Sequence, residues 1–117
     1  MKLLIAGSRS ITEFDLAPHI PSDTTTIISG GAKGIDTLAE DYVDKNGLEK
    51  VIVRPEYTKY GRAAPIKRNY QMVDMCDSVL VIWDCVSKGT ESTIRYAEKN
   101  NKKIYKIIFK KQQLHKY

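Results

Sequence analysis

Eight consecutive residues, Ser29-Gly30-Gly31-Ala32-Lys33-Gly34-Ile35-Asp36, follow a β-branched run, Thr24-Thr25-Thr26-Ile27-Ile28. They lead into a stretch whose apolar residues recur at helical spacing: Ile35, Leu38, Ala39 and Tyr42. A strand that turns through glycines straight into a helix leaves backbone N–H groups unpaired at the helix start, with the positive end of the dipole behind them. Such a turn can hold a phosphate or carboxylate without a charged side chain. Glycine lets a ligand come close to the backbone and lets the chain take positive φ. The spacing is G-G-x-x-G, without the leading glycine of the dinucleotide fingerprint, and Lys33 does not stand in a G-K-[ST] phosphate loop. The same glycines would also serve a tight turn that binds nothing.

Two more turns of this kind punctuate the chain. Gly7-Ser8-Arg9 follows the apolar run Lys2 to Ala6, and Asp84-Cys85-Val86-Ser87-Lys88-Gly89-Thr90 follows Ser78 to Trp83, the most hydrophobic run. Arg9, Lys33 and Lys88 bring a cation to each of the turns. Arg68 offers a planar guanidinium suited to bidentate recognition of an anion, or a surface ion pair with Asp74 or Glu56. Asp36 reads as an acceptor for a ribose hydroxyl or as the carboxylate that holds the glycine turn. Asp84 reads as a general base, a ribose acceptor or a cap on its own loop. Ser87 and Thr90 offer hydroxyls and N–H groups to phosphate, and Thr90 equally suits a helix cap. Trp83 and Tyr57 could stack on a base, although Trp83 ends an apolar strand and fits a core equally well. His19 and His115 stand alone and are assigned no role.

The elements that must position these residues alternate along the chain. Lys2–Ala6, Thr24–Ile28, Lys50–Arg54, Ser78–Trp83 and Lys103–Phe109 read as strands. Ile11–Ile20 reads as a short helix with Thr12 as N-cap, limited by Pro18 and Pro21. A second helix runs from Ile35 to a cap at Asn46-Gly47. Glu56 to Ala64 lacks periodicity and reads as a loop arching over the site. Pro65 opens a helix running to about Cys76, and a further helix opens at Gly89-Thr90-Glu91-Ser92 and ends at Asn100-Asn101. Strands alternating with helices predict an α/β fold: a Rossmann-like, doubly wound parallel sheet of about five strands with helices on both faces. Ligands of such sheets bind beyond the carboxyl ends of the strands, where strand order reverses. The three turns therefore converge on one crevice. A tight turn needs one such loop, not three, and this favours a phosphorylated or nucleotide-like ligand.

Composition sets the outer bounds. The 117 residues suffice for one domain, 1–117, with 42% hydrophobic and 28% charged residues. No apolar run approaches a membrane span, and Met1–Gly7 is too short for a signal-peptide core. A cytoplasmic protein without membrane contact is expected. Cys76 and Cys85 have no metal-ligand spacing, so no metal site and no disulfide framework is expected. The net charge of +5 gathers late, at Lys99, Lys102, Lys103, Lys106, Lys110, Lys111 and Lys116. These lysines read as a solvated face beside an edge strand rather than as a nucleic-acid surface, because only Tyr105, Phe109 and Tyr117 are interleaved among them. A basic nucleic-acid-binding domain is the third-ranked reading.

Taken together, Gly7-Ser8-Arg9, Ser29-Gly30-Gly31-Ala32-x-Gly34-x-Asp36, Arg68-Asn69-x-x-Met72 and Trp83-Asp84-x-x-Ser87-x-Gly89-Thr90 resemble the SLOG superfamily. Within it, they are similar to the small single-domain proteins of the YpsA-related (YspA-like) group, relatives of the LOG and DprA/Smf Rossmann-like domains. The motif order matches from the first strand to the last helix. The resemblance implies a domain that binds nucleotides or nucleotide-derived molecules such as ADP-ribose, NAD-related or cyclic-nucleotide signals, without a required cofactor. It further implies a sensor, a sequestering protein or a component of phage–host conflict, and assembly into a homo-oligomer. LOG-type relatives cleave the N-glycosidic bond of nucleoside monophosphates, with the pattern P-G-G-x-G-T followed by glutamates and R-K-x-x-M on an earlier helix. Here Arg68 and Met72 match and Asn69 replaces the lysine. Gly89 and Thr90 match, with Cys85, Val86 and Ser87 in place of P-G-G. The glutamate positions hold Ser92 and Thr93, and Glu91 falls one residue early, turned by about 100° on a helix. Oxocarbenium-like chemistry needs a neighbouring carboxylate. Binding is thus the first reading and a hydrolase using Asp84, Glu91 or Asp36 the second.

Overall fold

A computed structural model describes residues 1–109. Lys110, Lys111, His115, Lys116 and Tyr117, named above with the basic end of the chain, lie outside the described residues. Five strands form one sheet, β1 (Lys2–Gly7), β2 (Thr26–Ser29), β3 (Glu49–Ile52), β4 (Ser78–Trp83) and β5 (Lys103–Ile108). Their order is β3-β2-β1-β4-β5 and every pairing is parallel. The α helices are α1 (Ile35–Asn46), α2 (Tyr57–Tyr60), α3 (Ala64–Met75) and α4 (Lys88–Lys99). The Rossmann-like, doubly wound arrangement is therefore present.

The period of two along the central strands sends side chains alternately to two cores. Leu3 and Ile5 of β1, Ile27 of β2, and Leu80 and Ile82 of β4 pack with Ile35, Ala39 and Val43 of α1. Leu4 and Ala6, Ile28, and Val79 and Val81 pack on the other face with Met72, Val73 and Cys76 of α3 and Ile94 and Ala97 of α4. Because both faces of β1 and β4 are covered, these strands read as unbroken apolar runs. Gly47 caps α1 with φ +66°, a left-handed conformation that glycine adopts without penalty. Pro stands in the first turn of α3, where its missing N–H costs nothing.

Two segments differ from expectation. Ile11–Ile20 forms no α-helix and contains only a 3-10 turn at Ala17–His19. Pro18 has no N–H to bond back along a helix, Ile20 before Pro21 is extended, and Asp15 Oδ1 accepts the Ala17 N–H at 3.3 Å, offering the chain a local alternative to a helical bond. The segment still buries Ile11 and Leu16, and Phe14 meets Phe109 edge-to-face at 5.9 Å, so it roofs the β4–β5 side of the α1 face. Conversely, the expected loop at Glu56–Ala64 holds α2 and a 3-10 turn at Gly61–Ala63 that leads into α3. Lys59 lies 5.1 Å and Lys67 6.0 Å from the Tyr60 ring centre, cation–π contacts that no periodicity announces.

Candidate functional site

Connections leaving β1 run toward β2, whereas β4 lies on the other side of β1, so strand order reverses between these two. A crevice of about 330 Å³ opens there, at the carboxyl ends. The β1 turn contributes Gly7, Arg9 and Ser10, and the β2 turn contributes Ala32 and Asp36. Helix α3 contributes Arg68, Asn69 and Met72; the β4 turn and α4 contribute Asp84, Ser87, Gly89, Thr90 and Thr93. All three turns thus meet at one hollow, as their positions in the chain require.

What they offer there is unequal. The glycine turn after β2 is partly engaged by its own protein, and the N–H groups of Lys33, Gly34, Asp36 and Thr37 have no partner among the described residues. Ser29 Oγ accepts the Gly31 N–H at 3.3 Å, and Asp36 Oδ2 accepts the Ala32 N–H at 3.1 Å. The Ile35 N–H at the start of α1 points to the Ser8 carbonyl at 3.5 Å. The turn carries an internal anion, Asp36, in the place a phosphate would take. Its glycines answer to protein neighbours as well: a Cβ on Gly34 would stand 2.5 Å from the Arg9 carbonyl oxygen, and one on Gly30 would stand 2.6 Å from Arg68 Nη1. Gly7 is equally filled, with Ile35 Cγ1 at 2.5 Å from such a carbon. Ser8 and Ser29 are buried, and neither they nor Gly30, Gly31, Lys33 and Gly34 line the crevice.

The β4 turn is built differently. Asp84 folds it inward: Oδ1 accepts the N–H groups of Val86 (2.9 Å) and Ser87 (2.8 Å), and Oδ2 accepts the hydroxyls of Ser87 (3.0 Å) and Ser10 (3.2 Å). The Asp84 N–H in turn donates to Ser8 Oγ at 3.0 Å. Partial burial pushes this carboxyl upward, but the Ser87 and Val86 amides and the serine hydroxyls around it outweigh burial and hold it well below the usual carboxylate range. With its lone pairs so engaged, Asp84 caps its own loop, one of the three roles the sequence left open.

Having closed the turn this way, the chain enters α4 with Ser87 at the N-cap and no side-chain cap. Among the described residues, the N–H groups of Lys88, Gly89 and Thr90 have no partner. Apart from its chain neighbours and its own helix backbone, no described heavy atom lies within 4 Å of a Cβ built on Gly89. Thr90 is 7% exposed, lines the crevice, and its hydroxyl makes no hydrogen bond among the described residues.

Across the crevice stands Arg68, whose role differs from the expected free anion receptor. Nη1 donates to the Gly30 carbonyl at 2.6 Å and the Val53 carbonyl at 3.4 Å, and Nε donates to Asn69 Oδ1 at 2.9 Å. It pairs with neither Asp74, which accepts from Tyr96 Oη, nor Glu56. Nη2 alone has no partner among the described residues. Burial lowers the Arg68 pKa, Asp36 opposes this, and like-charged Arg9 adds to it. Asp36 is pushed up by burial, against the Ala32 amide and Arg68. Asp36 Oδ1 has no hydrogen-bond partner among the described residues.

The side chains of Glu91 and Lys88 do not belong to this site. They lie in a separate depression on the outer side of α4 with Tyr70 and Arg95, and Glu91 pairs with Arg95 at 3.8 Å. Helical spacing turns Glu91 away from Thr90 and Thr93, which line the crevice, so it is not brought together with the other candidates. Trp83 is a structural residue, its Nε1–H donating to the Ser87 carbonyl at 3.0 Å. Tyr57 is 61% exposed and does not line the hollow. Reading the motifs alone misses Ser10 and Arg54, the latter bonding the Gly31 carbonyl at 3.4 Å. It also misses the Thr93 hydroxyl, which bonds the Gly89 carbonyl at 3.1 Å. Only the i,i+4 spacing of Gly89 and Thr93 hints at the last. Among the described residues no cluster of His, Cys, Asp or Glu could hold a metal ion, and no helix is long and apolar enough to cross a membrane.

Comparison with protein-family models, curated proteins and solved structures yields no match.

Proposed function

We propose that this protein binds a phosphorylated, nucleotide-derived ligand in the β1/β4 crevice and acts by sensing or sequestering it. The observation that carries this reading is the open start of α4. Three unpartnered amides, a glycine with empty space above it and the hydroxyl of Thr90 converge where the helix dipole is positive. Arg9 and the remaining nitrogen of Arg68 supply positive charge from the opposite wall. A phosphate seated there would meet donors from two sides. Its organic remainder would lie toward Asp36, whose open oxygen can accept hydroxyl donors. The similarity of the motifs to SLOG domains agrees with a nucleotide-like ligand.

Titration calorimetry with AMP, ADP-ribose, NAD and cyclic nucleotides is the direct test. A saturable heat with at least one of them is expected, weakened by Arg9→Ala. No heat with any, together with no small molecule released on denaturing the purified protein, would remove the reading.

A second reading, hydrolysis of an N-glycosidic bond, is favoured by one observation. Asp36 is a buried carboxyl with a free oxygen facing the crevice, the environment in which a carboxyl titrates upward toward useful acid–base range. Release of free base from AMP, abolished by Asp36→Asn, supports it; intact nucleotide after prolonged incubation at high protein concentration opposes it.

A further inference from the structure

Two neighbouring side chains of α3 join the turn after β2, the end of β3 and the first turn of α4. Arg68 Nη1 holds the carbonyl of Gly30, in the turn after β2, and that of Val53, just beyond β3. Its Nε holds Asn69 Oδ1, and Asn69 Nδ2 donates to the carbonyl of Gly89, in the first turn of α4, at 3.4 Å. Thr93 Oγ1 shares that carbonyl. A continuous chain of hydrogen bonds therefore runs beneath the crevice, from the glycine turn on one wall to the open amides on the other.

The sequence makes room for this chain. Gly30 has a Cβ position 2.6 Å from Nη1 and 3.0 Å from the guanidinium carbon, so any side chain there would displace the arginine. Asn69 is 9% exposed, and both ends of its amide are engaged within the protein. A lysine at position 68 would keep the charge but lacks the fork that reaches two carbonyls and an amide at once. At position 69 a lysine could donate to Gly89 but not accept from Nε.

We infer that Arg68 and Asn69 form a positioning unit: they set the distance between the glycine turn and the start of α4, leaving Nη2 as the one nitrogen of Arg68 that faces the ligand. Arg9, in contrast, contributes charge alone. This inference rests on the crevice being the ligand site, and it separates shape from charge within that site.

The experiment compares Arg68→Lys, Asn69→Ala and Arg9→Ala in the full chain. It reads amide hydrogen exchange without ligand, thermal unfolding, and the affinity for AMP and for inorganic phosphate. Arg68→Lys and Asn69→Ala should speed exchange at the hydrogen-bonded amides of both regions, Gly31 and Ala32 in one and Glu91 in the other, distant in sequence, and weaken AMP about tenfold. Arg9→Ala should weaken both anions while leaving exchange at the two turns as in the parent. Parental exchange at both turns in Arg68→Lys and Asn69→Ala overturns the positioning role, as does parental AMP affinity in Arg68→Lys. If none of the nucleotides named above binds the parent protein and no small molecule is released on denaturing it, the ligand reading fails, and the exchange data still decide whether the pair holds the two turns. Should Asn69→Ala unfold, Asn69→Gln, which keeps the amide at a different reach, supplies the same comparison.

Discussion

The turn after β2 holds three glycines and the turn after β4 holds one, yet it is the glycine-poor turn that brings two open amides in succession, those of Gly89 and Thr90, to the lining of the crevice. After β2, glycines make room for the Arg68 guanidinium and for the carbonyls of Ser8 and Arg9, and Asp36 occupies an amide that an anion would use. After β4, Asp84 gathers the loop behind the helix start, and Gly89 faces empty space. The lesson is physical: glycine marks a place where something comes close to the backbone, and that something can be the protein itself. Openness depends on what has already filled the gap.

Substitutions that break the contrast can be ranked. Gly34→Ala should be the most severe, because φ is +73° and the new carbon would meet two backbone carbonyls at 2.5 and 2.6 Å. A loss of about 2–5 kcal/mol is expected in chemical denaturation. A parental midpoint would mean that the β2 turn is not closed as described.

The two crevice carboxyls sharpen the contrast through pH. Asp84→Asn should cost about 1–2 kcal/mol at neutral pH by weakening bonds to amides and hydroxyls that prefer a carboxylate. Because the folded state lowers the Asp84 pKa from 3.8, its contribution is complete above that value and is lost as pH falls through the lower folded one. Asp36 has the opposite sign. Burial raises its folded pKa above 3.8, so the native state binds more protons and stability falls as pH climbs from there through the folded value. Denaturation midpoints followed from about pH 3 to pH 7 should show Asp36→Asn removing the loss on the neutral side and Asp84→Asn removing the loss on the acid side. Equal slopes in both variants would show that the two turns do not differ electrostatically.

Gly89→Ala should act in the reverse sense to Gly34→Ala. With no described atom beyond its chain neighbours and own helix backbone within 4 Å of the added carbon, and negative φ, helix propensity gains about 0.5–1 kcal/mol. Ligand affinity should drop while the melting temperature rises, because the methyl group narrows the approach to the open amides. A ligand that binds unchanged would place the anion elsewhere. The smallest effect is expected from Glu91→Gln. Its only ion pair among the described residues is the exposed one with Arg95 at 3.8 Å, so stability should move by less than about 0.5 kcal/mol and affinity should not move. A clear loss of affinity or activity would return Glu91 to the site.

By itself the sequence determined the layering and the meeting place. Apolar runs, helical spacing and the position of Gly47 and Pro65 are local patterns, and strands buried on both faces of a parallel sheet leave an unmistakable one. Once β1 and β4 lie side by side, the turns that follow them must share an edge. Tertiary structure alone decided which amides in those turns stay free. Arg68 finds its strongest acceptor 38 residues away, and Ser8 meets the Asp84 amide across 76 residues. The failed helix at Ile11–Ile20 has a local cause in its prolines, but its covering role depends on Phe109 at the far end of the chain. Hydrogen-bond saturation is a property of partners, and partners distant in sequence exist only after the chain has folded.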